Sequence, residues 1–241
     1  MSDTAKPAVL WLHGLGDTGA GWQGAFGPLA TAATFHHPTA PMAPVTINGG
    51  MQSTSWMDLK TFPVDTAEPQ AGADFDATVS SVHAMLEEIE QGGTPADQVV
   101  IGGFSQGGAT SIASGLSYPR RLAGIVSISG WAAYRDDFAS RVNAANAATP
   151  MLFTCGTGDP VVDYTLTKRS GEMVTEALGD AVRAAPVPRA PTRRAPRVPE
   201  RGVDVSRFGA GHGDGRAALH APAGPRGDAR RLPVHHQAPG S

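Results

Sequence analysis

An α/β fold, with a mostly parallel central sheet and helices on both faces, is what this chain predicts, and three observations carry that expectation. Four short apolar runs, Ala8–Leu12, Gln98–Gly102, Leu122–Ile128 and Met151–Thr154, each lead into a loop containing glycine. Runs of that length without polar alternation suit strands buried on both faces. Helical stretches fall between them, and Gly103-Phe104-Ser105-Gln106-Gly107-Gly108 joins a strand directly to a helix. Repeated strand–loop–helix units build a parallel sheet. A length of 241 residues that is 41% hydrophobic suits one such domain with a sizeable core, and no internal repeat argues otherwise.

In chain order, Ala8–Leu12 reads as the first strand and runs into the glycine-rich loop His13-Gly14-Leu15-Gly16-Asp17-Thr18-Gly19. That loop lacks both the spacing of a dinucleotide fingerprint and the lysine of a phosphate loop. Gly21–Thr34 reads as a helix with Trp22, Phe26 and Leu29 on one side. Pro38–Met51 is too proline-rich to be regular, and a long ordered loop in a compact domain is usually functional. It leads to Ser55-Trp56-Met57-Asp58-Leu59, an apolar cluster suited equally to lining a pocket or to the core. Ala73–Gln91 is the clearest helix: Phe75, Val79, Val82, Leu86 and Ile89 share one face, Asp74 is the expected N-cap, and Gly92-Gly93 ends it. His83 falls off that face and is expected in solvent. Gln106–Ser117 is a helix rich in small residues, and strands at Leu122–Ile128 and Met151–Thr154 complete the series.

Gly103-x-Ser105-x-Gly107 fits the pattern of a nucleophile elbow. Such a serine sits on a sharp strand-to-helix turn, so its neighbours must tolerate close backbone approach. The turn lifts the hydroxyl clear of the sheet and aims a helix N-terminus at negative charge forming there. Acyl transfer at such a serine needs two backbone N–H donors for the oxyanion; Gln106, just after the serine, and Leu15, in the loop after the first strand, are the expected pair. The acid of the triad belongs in a turn after a later core strand, which selects Asp159. Asp163 is its rival and better suited to capping the next helix. His13 is expected to hold its loop rather than act as the base.

Composition narrows the remaining classes. The net charge of -3 makes no case for nucleic-acid binding. A single cysteine, Cys155, is incompatible with an internal disulfide or a multi-cysteine zinc site, and the chemistry proposed needs neither metal nor cofactor. The apolar run Val9–Leu12 is too short for a secretory leader, and no stretch approaches the ~20 apolar residues of a membrane helix. The expectation is a cytoplasmic protein with no integral membrane association.

These motifs together resemble the family of acyl-protein thioesterases, lysophospholipases and small carboxylesterases within the α/β-hydrolase fold. The resemblance rests on His13–Gly19, Pro41–Met51, Ser55-Trp56, Gly103–Gly108, Ser129-Gly130-Trp131 and Gly158-Asp159-Pro160, which occur in family order over roughly residues 7–178. It implies Ser105 as nucleophile, Asp159 as acid, Leu15 and Gln106 as oxyanion donors, and an acyl ester or thioester substrate, on S-acylated proteins or lysophospholipids. Trp56, Trp131 and Val162 are candidates to line an acyl channel. Cys155 departs from the family, where a histidine commonly precedes that glycine. Two alternatives stay open: a carboxylesterase for small soluble esters, and a catalytically dead fold that binds acyl lipids.

The chain changes character near residue 181. Residues 1–180 hold 8 Lys+Arg against 18 Asp+Glu; residues 181–241 hold 11 against 4, all 11 being arginine. Residues 182–201 contain 5 prolines and 6 arginines, a composition that forms neither helix nor central strand and reads as disordered. Gly202–Gly213 then resembles the family's last strand and histidine loop, with Phe208-Gly209-Ala210-Gly211-His212. His212 lies 53 residues after Asp159; without the 20 odd residues the separation is 33, the family's approximate spacing. The expected organisation is therefore a core over 1–181, an insertion at 182–201, the His212 loop over 202–213 and a disordered-looking tail over 214–241. His220, His235 and His236 are the other candidates for the base.

Overall fold

The computed structural model describes residues 6–69 and 71–178. Expectations about 182–241, His212 among them, lie outside the described residues. Among the described residues, strands β1 (Ala8–Leu12), β2 (Thr34–His36), β3 (Met42–Val45), β4 (Met51–Thr54), β5 (Val99–Phe104), β6 (Gly124–Ile128) and β7 (Met151–Thr154) make up the strand set. Helices α1 (Gly19–Trp22), α2 (Ala73–Gln91), α3 (Gln106–Ser117) and α4 (Tyr164–Leu178) follow β1, β4, β5 and β7, with loops and 3-10 turns elsewhere. Five strands form one sheet, β2-β1-β5-β6-β7, with every pairing parallel. The apolar runs behave as buried strands should.

Pleating sends alternate side chains to opposite faces. Leu10 and Leu12 of β1, Ile101 of β5, Ile125 of β6 and Met151 of β7 point into one core, with Val82, Leu86 and Ile89 of α2, Ile112 and Leu116 of α3, and Val174 and Leu178 of α4. Each fully buried side chain of that size stabilises the fold by roughly 1.5–3 kcal/mol. On the opposite face Trp11 packs on Trp22 and Phe26, with ring centroids 5.3 and 4.9 Å away, and Phe104 lies against Trp22. Helix α3 is buried along its length from Gln106 to Leu116, which explains its small residues: only they let it sit so close to the sheet.

Four local expectations fail. The helix expected over Gly21–Thr34 is only α1, a turn and a 3-10 segment at Gly27–Leu29, after which Thr34–His36 pairs with β1 as a strand. Gly21, Gly24, Gly27 and Pro28 weaken a helix there, and the packing of Trp22 and Phe26 on Trp11 holds the chain in its place. The segment expected to be irregular contains the antiparallel pair β3–β4, with Pro44 opposite Gln52; a two-stranded ribbon is all edge, where proline is tolerated. Helix α2 is capped by Gly72, with Asp74 and Asp76 in its first turn, where carboxylates favour the helix dipole. His83 is half-buried, its Nε2–H donating to Ser114 O at 2.9 Å.

Candidate active site

Chain order makes the site. After β1 the chain moves outward to β2, then returns to the other side of β1 as β5. Such a switch opens a crevice between the carboxyl ends of the two strands, where ligands of open α/β sheets bind. The strand ends are in step, with Leu12 opposite Gly103, Phe104 opposite Ile128, and Ile128 opposite Thr154. The loops beginning at His13, Ser105, Ser129 and Cys155 therefore leave the same edge of the sheet.

Ser105 sits where β5 turns into α3, at φ 54° and ψ -120°, a region side chains avoid. Its N–H donates to Ile128 O at 2.8 Å, which fixes the elbow to β6. The flanking glycines are steric necessities: a Cβ on Gly103 would lie 2.4 Å from the Gly107 carbonyl, and one on Gly107 would lie 2.2 Å from Leu12 O. Gln106 opens α3, so its N–H is among the first four of the helix, which have no partner within it.

The loop after β1 lies against the elbow; a Cβ on Gly14 would be 3.5 Å from Ser105 Cβ. His13 is wholly buried, and its ring accepts at Nε2 from Ala40 N–H (2.9 Å) and donates from Nδ1 to Gly14 O (2.6 Å). Burial holds its pKa below the ordinary histidine value. With both nitrogens engaged, it is a neutral strut of the loop, as expected. Gly16 N–H donates to Thr54 O at 2.9 Å, so β4 pins the loop from the other side.

Asp159 lies in the turn after β7, where its Oδ1 accepts from the N–H groups of Val161 (2.9 Å) and Val162 (3.1 Å). Asp163 directly precedes α4 and its Oδ1 accepts from Thr165 N–H at 2.7 Å, the bond of an N-cap. The Thr165 hydroxyl and N–H hold its carboxyl below the usual aspartate range.

Trp131, Val162 and Leu15 meet in one apolar cluster with Leu59, Val64, Ala109 and Leu166. A bridge between Val64 and Val162 ties the 59–64 segment to the turn carrying Asp159. Beside the cluster lies a cleft of about 250 Å³ lined by Met57, Phe75, Trp131 and Ala133, with Asp58, Lys60 and Glu68 at polar positions. Trp56 is not brought into that cluster: it is buried in the main core, its indole N–H donating to His13 O at 2.9 Å. Sequence reasoning missed Glu68, which is buried and accepts from the N–H groups of Lys60 and Thr61. No motif marks it, because its carboxylate is held by backbone N–H groups and the Thr61 hydroxyl. Among the described residues, no three His, Cys, Asp or Glu converge as a metal site, and no helix is long and apolar enough to cross a membrane.

Comparison with known proteins agrees with this fold. Residues 1–192 match the family model described as Phospholipase/Carboxylesterase. An acyl-protein thioesterase 1 of Yarrowia lipolytica is 38% identical over 176 residues, 70% of this chain and 77% of that protein. An Oryza sativa protein named "Probable inactive carboxylesterase" is 40% identical over 153 residues, 61% of this chain and 62% of that protein. Among solved structures, Arabidopsis thaliana SOBER1 superposes with a TM-score of 0.66 at 34% identity, over 72% of this chain and 84% of that one. The chain belongs to the phospholipase/carboxylesterase family of α/β-hydrolases and is a hydrolase of the serine type.

Proposed function

We propose that this protein is an acyl-protein thioesterase or lysophospholipase that cleaves long-chain acyl thioesters or esters through an acyl-serine intermediate on Ser105. The observation that carries the reading is Ser105 itself, strained above the carboxyl edge of the sheet, beside the β1 loop and at the start of α3. In the first step Ser105 Oγ attacks the acyl carbonyl while His212 takes its proton. The backbone N–H groups of Leu15 and Gln106 hold the oxyanion. Asp159 keeps the imidazole in the working tautomer and stabilises the imidazolium without taking the proton. The leaving thiolate or alkoxide is protonated by His212, and water, activated by the same imidazole, releases the acid. Trp131 and Val162 form the apolar wall for the acyl chain, while Trp56 belongs to the scaffold. The thioester assignment draws on the fungal relative; S-acylated proteins or lysophospholipids in the cytoplasm are the proposed substrates.

A second reading, an acyl-lipid-binding fold without turnover, is favoured only by the name of the rice relative. A fluorophosphonate probe separates the two, since it labels only an activated serine. The expected outcome is labelling that Ser105→Ala abolishes, with kcat lower by about 10⁵–10⁶, and rates that rise from acetyl to medium and long acyl thioesters. An unlabelled protein favours the binding module, and a preference for acetyl esters favours the small-ester carboxylesterase.

A further inference from the structure

Trp56 and the side chain of Gln106 carry more hydrogen bonds than packing requires, and the bonds run between the two halves of the proposed oxyanion hole. The Gln106 carboxamide is fully buried. Its Oε1 accepts from Trp56 N–H at 2.7 Å, and its Nε2 donates to Met57 O at 2.6 Å and to Ser55 Oγ at 3.0 Å. Ser55 Oγ–H in turn donates to Met57 O at 2.6 Å. Trp56, 2% exposed, sends its indole N–H the other way, to His13 O at 2.9 Å.

An unbroken path thus leads from the peptide of His13, two residues before Leu15, through the indole and backbone of Trp56 to the carboxamide of Gln106. We infer that Trp56, Ser55 and the Gln106 side chain are positioning residues: a buried brace that sets the distance between the two oxyanion N–H groups. This rests on the assignment of Leu15 and Gln106 as those donors. A buried polar network whose members are all satisfied is rigid, and removing one member strands its partners. Two donors useful to a tetrahedral intermediate must both lie 2.7–3.1 Å from a single oxygen position. Neither local turn alone sets that spacing, because the donors belong to segments about 90 residues apart in the chain.

Trp56→Phe keeps an aromatic ring in the core and removes the indole N–H, together with the volume of the second ring. In the full-length chain it is expected to lower kcat on p-nitrophenyl butyrate about tenfold, leave KM within about twofold, and weaken an acyl trifluoromethyl ketone about tenfold. The ketone forms a tetrahedral adduct and so reports the oxyanion hole, which a merely structural residue does not affect selectively. Ser55→Ala should act in the same direction more weakly, and it decides the matter if Trp56→Phe fails to fold. Unchanged kcat and unchanged ketone affinity in a folded variant overturn the brace. So does a KM increase over the parent that grows with acyl length at constant kcat, the signature of a lost acyl wall. Fluorophosphonate labelling of the unaltered chain separates the two levels: with labelling present, an ineffective Trp56→Phe sinks only the brace, whereas an unlabelled parent overturns the proposed activity and the brace with it.

Discussion

Ser105 spends roughly 1–3 kcal/mol on its backbone conformation, and its neighbours are chosen so that nothing else spends more. Gly103 and Gly107 remove the clashes that any Cβ would make with Gly107 and Leu12. The same economy separates the two aspartates near the end of β7. Asp159 is oriented by two N–H groups of its own turn, whereas Asp163 is occupied in starting α4. Asp159→Asn should therefore lower kcat by about 10⁴ through the wrong imidazole tautomer. Asp163→Asn should leave kcat nearly unchanged, since asparagine caps a helix about as well as aspartate. Steady-state kinetics of the two variants on one ester checks the assignment; greater damage from Asp163→Asn reverses it.

Helix α2 shows how far periodicity reaches at the scale of an element. Its four-and-three spacing identified the buried face, but not what the flank would meet. His83 meets α3: its ring donates to Ser114 O, approaches Ser117 Oγ at 3.3 Å and stacks edge-on against Tyr118, with Glu87 and Arg120 nearby. Burial lowers its pKa below 6.5, outweighing the Ser114 carbonyl and Glu87, while Arg120 lowers it further. The unfolded chain then binds a proton at a higher pH than the native one, so stability rises with pH in this range. Its contribution is complete above about pH 6.5 and is lost as pH falls towards the lowered native value. Thermal melts should show a lower Tm at pH 5.5 than at 7.5, and His83→Gln, which keeps a donor for Ser114 O, should narrow that gap. An equal gap in the variant removes His83 as a cause.

For the molecule as a whole, the parallel sheet brings loops distant in sequence to one edge, and the proposed base must reach that edge from beyond residue 181. The proposed insertion at 182–201 bears on this directly. A surface loop 20 residues longer costs little closure entropy, since each doubling of length adds only about 0.6 kcal/mol. Deleting 182–201 should preserve or raise esterase activity, and His212→Ala should abolish it. A deletion that unfolds an active protein, or a fully active His212→Ala, refutes this organisation of the C-terminal region.

The strands β1, β5, β6 and β7, helix α3 and the elbow were legible in the residues alone, because burial on both faces, small-residue packing and the close approach at Gly103 and Gly107 each demand particular residue types locally. The β2 strand and the β3–β4 ribbon were not: three or four residues hold no measurable period, and pairing across the chain supplied what propensity lacked. Asp74 lost the cap of α2 to Gly72 by a shift of two residues, within the range that end packing decides. The proposed nucleophile and acid could be named from local context, but the role inferred for Trp56 could not. Its sequence neighbours suit a pocket wall and the core equally, and do not reveal that its indole and backbone bond to His13 and Gln106, 43 and 50 residues away. Hydrogen bonds between segments that far apart exist only once the sheet has brought the ends of β1 and β5 together, so no local pattern could encode them.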